Sequence, residues 1–175
     1  MLEAAAGLQW QLSLITPTVN GLAEHVMKET FIYAGGARLA GKPQTRGGIF
    51  RLRPGDDHFE KLCNGMPEDN DVYTITIHPQ NPEVVFAGTK LGLYRSHDRG
   101  DHWQPLDLPD PRVEIWSLLV HPENPRQLYA GASPVAVFYG VSRCGQVFGT
   151  QDGGATWHEF LLPEGCRDVY TLACA

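Results

Sequence analysis

Two stretches of this chain share one skeleton. "SHDRGDHW" (96–103) and "TQDGGATW" (150–157) both place a hydroxyl residue, Asp, Gly and Trp at the same spacing. Upstream of each lies a second shared stretch, "HPQNP" (78–82) or "HPENP" (121–125). A chain assembled from copies of one small unit is restricted to repeat architectures. Each copy can bury its apolar face only against a neighbouring copy.

The copies align over most of the chain. "VYTITIHPQNPEVVFAGTKLGLYRSHDRGDHWQPL" (72–106) matches "IWSLLVHPENPRQLYAGA" (115–132), with His78 on His121 and Gly88 on Gly131. Trp103 matches Trp157, so the later copy carries an insertion between Gly131 and its box. A diverged copy lies upstream in "VNGLAEHVMKETFIYAGG" (19–36) and "GGIFRLRPGDDHFEKL" (47–62). There His25 and Gly35 match His78 and Gly88, and Phe59 takes the Trp103 position. Its box is degenerate, with Leu52 and Pro54 replacing the hydroxyl residue and the Asp. A fourth copy begins at "VYTLACA" (169–175).

Each copy reads as four short strands. In the second they are expected near 72–77, 84–88, 92–96 and 103–106, from β-branched and apolar runs separated by Gly, Pro, Asn and Asp. The 19 Gly and 13 Pro agree with a turn-rich chain, and no sustained helical period occurs. Four-strand units repeating every ~40–55 residues predict a β-propeller. The expected fold is all-β: a partial propeller of four-stranded antiparallel blades, three blades plus the first strand of a fourth. The expected division is an N-terminal segment (1–18) and a repeat region (19–175), with copies at 19–62, 72–106 and 115–160 and the next starting at 169.

On these boxes and their register, the chain resembles the Asp-box (BNR) repeat propellers. That family includes sialidases, sortilin-type receptors and photosystem assembly factors. The resemblance covers about residues 19–175 and implies that each box is the hairpin turn between the third and fourth strands of a blade. Asp98 and Asp152 are then acceptors for turn amides. Gly100 and Gly154 supply positive φ, Ser96 and Thr150 tie the turn to the third strand, and Trp103 and Trp157 are buried between blades. One Asp in one copy would suit catalysis; the same Asp in two successive copies suits architecture. His25, His78 and His121 at matched places are read as turn caps, not metal ligands.

Function is expected on the opposite face. Turns in a propeller alternate between two faces, and both insertions, "ARLAGKPQTRG" (37–47) and "SPVAVFYGVSRCG" (133–145), fall in second-to-third connections. They rise from the face away from the boxes, and long loops on a rigid scaffold commonly carry binding. Arg38, Lys42, Arg46, Tyr139 and Arg143 are the candidate ligand contacts there, the cations suiting carboxylate or phosphate. The same face receives Asp71, Glu114 and Asp168, one before each innermost strand, with Tyr73, Trp116 and Tyr170 two residues later. A carboxylate ring suits a cation, a sugar or acid–base work; packing between blades is the expected role of the aromatics.

The expected function is a non-catalytic scaffold for a protein or a small ligand. The alternative is a glycoside hydrolase of sialidase type, or another propeller hydrolase or lyase, with its site on that face. The Phe/Tyr-Arg-Ile-Pro segment of sialidases is missing; "IFRLRP" (49–54) fails at Leu52. No phosphate loop, HExxH or GxSxG motif occurs, and no cofactor is expected. Cys63, Cys144, Cys166 and Cys174 lack CxxC spacing, so no metal site is expected. The formal charge of −6 without a basic stripe argues against nucleic acid. Glu3 and the missing basic start make the N-terminus a poor signal peptide, and no apolar run nears the ~18 residues of a membrane helix. A cytoplasmic location is therefore expected. Three blades do not close a ring of 4–8, so the expected partners are further blades of a longer chain or a second copy. The stop within a strand favours the former.

Overall fold

A computed structural model describes residues 30–38, 46–134, 145–166 and 168–174. Every regular element among them is a strand: β1 (Ile32–Gly36), β2 (Gly48–Leu52), β3 (Glu60–Leu62), β4 (Val72–Ile77), β5 (Val85–Thr89), β6 (Gly92–Ser96), β7 (Gln104–Leu106), β8 (Val113–Val120), β9 (Leu128–Pro134), β10 (Gln146–Thr150) and β11 (His158–Leu161). Their hydrogen-bonded orders are β1-β2-β3, β4-β5-β6-β7 and β8-β9-β10-β11. The expected strands of the second copy are found within about one residue. The fold is all-β and fits a partial β-propeller.

The chain divides into two compact units, Met1–Ile32 with Arg51–Glu60, and Tyr33–Phe50 with Lys61–Ala175. In the smaller unit Arg51 is 1% exposed. Its guanidinium meets Glu60 at 2.7 Å and lies 6.0 Å from the Phe31 ring centre. Arg53 reaches the same Glu60 carboxylate at 2.6 Å. A buried charge needs such pairing to offset its desolvation.

In the larger unit the core lies between successive sheets, as a blade stack requires. One cluster joins Tyr33, Ile49, Leu62 and Met66 to Val72, Val85, Ala87, Tyr94 and Trp103. The next joins Val84, Phe86, Leu93 and Leu106 to Ile115, Leu118, Leu128, Ala130, Phe148 and Trp157. Strand alternation sends one set of β5 and β6 side chains forward and the other back, so the middle sheet fills both clusters.

The repeated second-strand glycine has a packing reason. A Cβ on Gly35 would stand 3.1 Å from the Val72 carbonyl oxygen, and one on Gly88 or Gly131 would stand 2.9 Å from that of Ile115 or Val169. Val72, Ile115 and Val169 are matched residues of the following copies. The innermost strand of each blade therefore rests on a glycine of the blade before. Residues 168–174 form no strand pairing among the described residues, yet Val169 occupies this seat, and the Ser117 hydroxyl donates to its carbonyl at 3.1 Å.

Both boxes are β-hairpin turns with matching bonds. Gly100 N–H donates to Ser96 Oγ at 2.7 Å, and Gly154 N–H to Thr150 Oγ1 at 3.1 Å. Asp98 accepts from His102 N–H at 2.9 Å; Asp152 accepts from Ala155 and Thr156 N–H, both at 2.9 Å. Gly100 and Gly154 have φ of 97° and 94°. The preceding position is left-handed too: φ is 59° at Arg99 and 77° at Gly153. Within a blade, Arg99 N–H donates to Glu83 C=O at 2.7 Å and Gly153 N–H to Arg126 C=O at 2.8 Å. The box is thereby tied to the HPxNP turn beside it. In that turn His78 Nδ1 accepts from Gln80 and Asn81 N–H, and His121 Nδ1 from Glu123 and Asn124 N–H. These two histidines are turn caps; His25 lies outside the described residues.

The boxes also bind each blade to the one before. The Arg99 carbonyl accepts from the Tyr33 hydroxyl at 2.9 Å, and the Gly153 carbonyl from Arg95 Nη1 at 2.9 Å. Gly100 lies against Leu62, and Gly154 against Leu106.

Acid should loosen this arrangement. Burial opposes ionisation of Asp98, but bonds from His102 and Ser96 outweigh it and hold the carboxyl at about 2, below its ordinary 3.8. Bonds from Thr156, Thr150 and Ala155 likewise depress Asp152. A depressed carboxyl stabilises the fold above its unfolded-state value and loses that contribution as pH falls through the folded-state value. Stability should thus decline between about pH 4 and pH 2. Asp98→Asn should lower it at neutral pH by about 1 kcal/mol, an effect limited because Asp98 is 41% exposed. Thermal melts of both chains from pH 7 to pH 2 measure this, the variant showing the shallower acid slope.

Candidate functional site

The site is built on the starts of the innermost strands. β4 and β8 pair regularly with β5 and β9 except at one place each. The register shifts between Val72 and Thr74, and between Ile115 and Ser117. The residues skipped are Tyr73 and Trp116, at matched positions. A bulge frees a residue from the ladder and re-aims its side chain. Here the two rings meet face to face, with centres 3.9 Å apart and planes 2° from parallel. Tyr170, third in the series, meets Trp116 edge-on at 5.3 Å. The three aromatics form one row across successive innermost strands.

The acids flank this row. Asp71 is buried, and its carboxylate accepts from the Arg38 backbone N–H at 2.9 Å and from Arg38 Nε at 3.1 Å. This pairing raises the Arg38 guanidinium further above its ordinary value. Burial raises the Glu114 carboxyl, partly offset by the Lys90 charge and the Tyr73 hydroxyl. Burial and the Glu114 and Asp71 charges push the Tyr73 phenol up to about 12. Asp168 is exposed and accepts from the Tyr170 hydroxyl at 3.0 Å.

The β5–β6 turn and the described roots of both insertions lie beside these strand starts. Lys90 N–H in the β5–β6 turn donates to the Asp71 carbonyl at 2.9 Å, joining that turn to the start of β4. At the root of the 37–47 insertion, a Cβ on Gly47 would collide with Asp71 and Asn70. At the root of the 133–145 insertion, Gly145 N–H donates to Cys166 C=O at 2.7 Å, just before the fourth innermost segment.

Arg38, Asp71 and Glu114 are thus brought together through Tyr73, while Asp168 joins through Tyr170 and Trp116. Arg46 is exposed at the loop root. Lys42, Tyr139 and Arg143 lie outside the described residues. Lys90 is a member that sequence reasoning missed, although its place in a second-to-third turn marked it for this face. Among the described residues no group of three His, Cys, Asp or Glu could hold a metal ion. The arrangement offers aromatic surface, one carboxylate ion-paired with Arg38, one carboxyl raised by burial and one exposed carboxylate. These groups can stack against and hydrogen-bond a bound molecule.

No protein-family model matches the chain, and no curated protein matches it. Solved structures do. An ancestral GH74 enzyme is 21% identical with a TM-score of 0.60, covering 74% of this chain and 18% of the other. The GH74 xyloglucanase of Xanthomonas campestris is 18% identical with a TM-score of 0.57, covering 78% and 22%. The extracellular domain of a one-component system from B. thetaiotaomicron is 15% identical with a TM-score of 0.54, covering 75% and 15%. These likenesses speak for the propeller fold alone. The chain spans about a fifth of the length of these three structures.

Proposed function

We propose that the chain is part of an Asp-box propeller acting as a non-catalytic binding scaffold, with its ligand face at the starts of the innermost strands. The single observation that carries this reading is the repeated bulge at Tyr73 and Trp116, which lines the aromatics of successive innermost strands into one row. A bulge costs ladder hydrogen bonds, and bulges gather where a side chain must be aimed at a ligand. The neighbouring acids and Lys90 add polar contacts, and the described roots of the inserted loops, at Arg38, Gly47 and Gly145, lie beside them. The boxes, engaged in turn bonds and in packing on the preceding blade, are kept for architecture.

The reading is tested with a combined array of glycans and extended peptides, probed with the full chain. At least one ligand is expected to be retained without turnover. It should be lost in Trp116→Ala and Glu114→Gln, and kept in Asp98→Asn at equal folded concentration. Equal retention by Trp116→Ala would overturn the site. Hydrolysis of a retained glycan would replace the scaffold with the glycosidase alternative.

A further inference from the structure

We propose that the outer face of the β8–β11 sheet is the seat of a further blade with an intact box glycine, and that the first blade of a second copy does not fit it. The chain already builds one such interface, between its second and third sheets. There Phe86 is 2% exposed and Leu93 1%. Leu106 packs in the same cluster, and Gly154 of the following box lies against it. The matched residues on the outer sheet are Tyr129, Val147 and Phe160. Tyr129 and Val147 are only half-buried, and Phe160 is 51% exposed.

Half of this interface is already made. Val169 sits on Gly131 as Ile115 sits on Gly88, so the first segment of the next copy is docked. What the face still lacks is that blade's second strand and its box. The second strand has defined chemistry. β4 and β8 both pair with an aromatic-Ala-Gly strand, Phe86-Ala87-Gly88 or Tyr129-Ala130-Gly131, with the glycine beside Thr74 or Ser117. Thr171 holds the matching position in the docked segment. The box has defined chemistry too. Gly100 seats on Leu62 and Gly154 on Leu106, both with positive φ, so a glycine must seat on Phe160. The Tyr33 hydroxyl, which donates to the Arg99 carbonyl of the following box, predicts the same bond from Tyr129.

The first blade of a second copy does not meet this requirement. Its degenerate box carries Asp56 where Gly100 and Gly154 stand. A side chain there would meet the Phe160 ring, and a carboxylate would be buried without a partner.

The test extends the full chain after Ala175 with a copy of its own residues 79–112, which supply a second, third and fourth strand and an intact box. The extended chain should melt several degrees higher. Amide exchange at Thr171–Ala173 should slow at least about tenfold as those residues gain ladder partners. Changing the appended glycine copied from Gly100 to aspartate should remove most of both gains. No gain on extension would overturn the proposal, as would an aspartate version equal to the glycine version. Sedimentation of the unextended chain gives a third outcome: a dimer dissolved by Phe160→Asp would seat a second copy on this face and overturn it as well.

Discussion

Replacing Trp103 with alanine is expected to lower the unfolding free energy by about 3–5 kcal/mol. Trp103 is 3% exposed and packs with Ile49, Leu62 and Met66 on one side and with its own sheet on the other. Its backbone N–H donates to Asn64 C=O at 2.8 Å, across to the segment after β3. Truncation removes the ring from the centre of a cluster whose walls are two backbone-bonded sheets. Such walls relax little, so the cavity term adds to the lost transfer term. In a chain of this length each kcal/mol corresponds to about 2–4 °C in Tm. Trp103→Phe separates the contributions. The indole N–H has no partner among the described residues, so phenylalanine removes a buried donor while keeping most of the apolar contact, and a much smaller loss is expected. Chemical denaturation of the three chains measures both effects, and equal losses for Phe and Ala would contradict this packing account.

Gly88→Ala is expected to cost about 1–3 kcal/mol or more, by overpacking. Its added methyl would meet the Ile115 carbonyl at 2.9 Å and the Ile115 Cγ2 at 2.7 Å, with the Thr74 side chain also in the way. One neighbour is backbone and another a branched side chain in a fully buried position, so these two cannot rotate aside. The innermost strand of the third sheet would have to lift from the second. Gly36→Ala is the control: its methyl would find only ordinary contacts, at 3.5 Å or more. A near-neutral Gly36→Ala beside a destabilised Gly88→Ala, measured by thermal melts, assigns the loss to blade contact. Similar losses in both would assign it to strand flexibility instead.

The two cases show which parts of the architecture could be read in advance. The periodic HPxNP and D-x-G-x-x-W stretches predict turns through local chemistry, since Pro, Asn and Gly restrict or release φ wherever they stand. The strands between them follow from β-branched runs, and their pairing follows from copy number. Trp103 could be placed between blades because a large ring repeated at one position needs a repeated cover. The strict glycine at 35, 88 and 131 was visible as a pattern, but its cause was not. Only the approach of the next innermost strand shows why a Cβ is excluded.

The candidate site was legible in part. Asp71, Glu114 and Asp168, with the aromatics two residues later, stood out by register alone. The bulges at Tyr73 and Trp116 did not, because nothing in "DVYT" or "EIWS" marks a skipped residue. Without them the rings would be ordinary ladder members. The closing of Arg38 on Asp71, and the influence of Lys90 on Glu114, also depend on which turn lies beside which strand start.

By itself, then, the sequence determined what depends on neighbours along the chain: the repeat, the strands and the turns. The periodicity of short-range chemistry is enough for that. Tertiary structure alone decided what happens between copies. It decided that the boxes are also blade-to-blade contacts, that Arg99 joins Gly153 in a left-handed backbone, and that Tyr73 stacks on Trp116. These outcomes are set by the distance between two sheets brought together by folding, and no spacing within one copy encodes that distance.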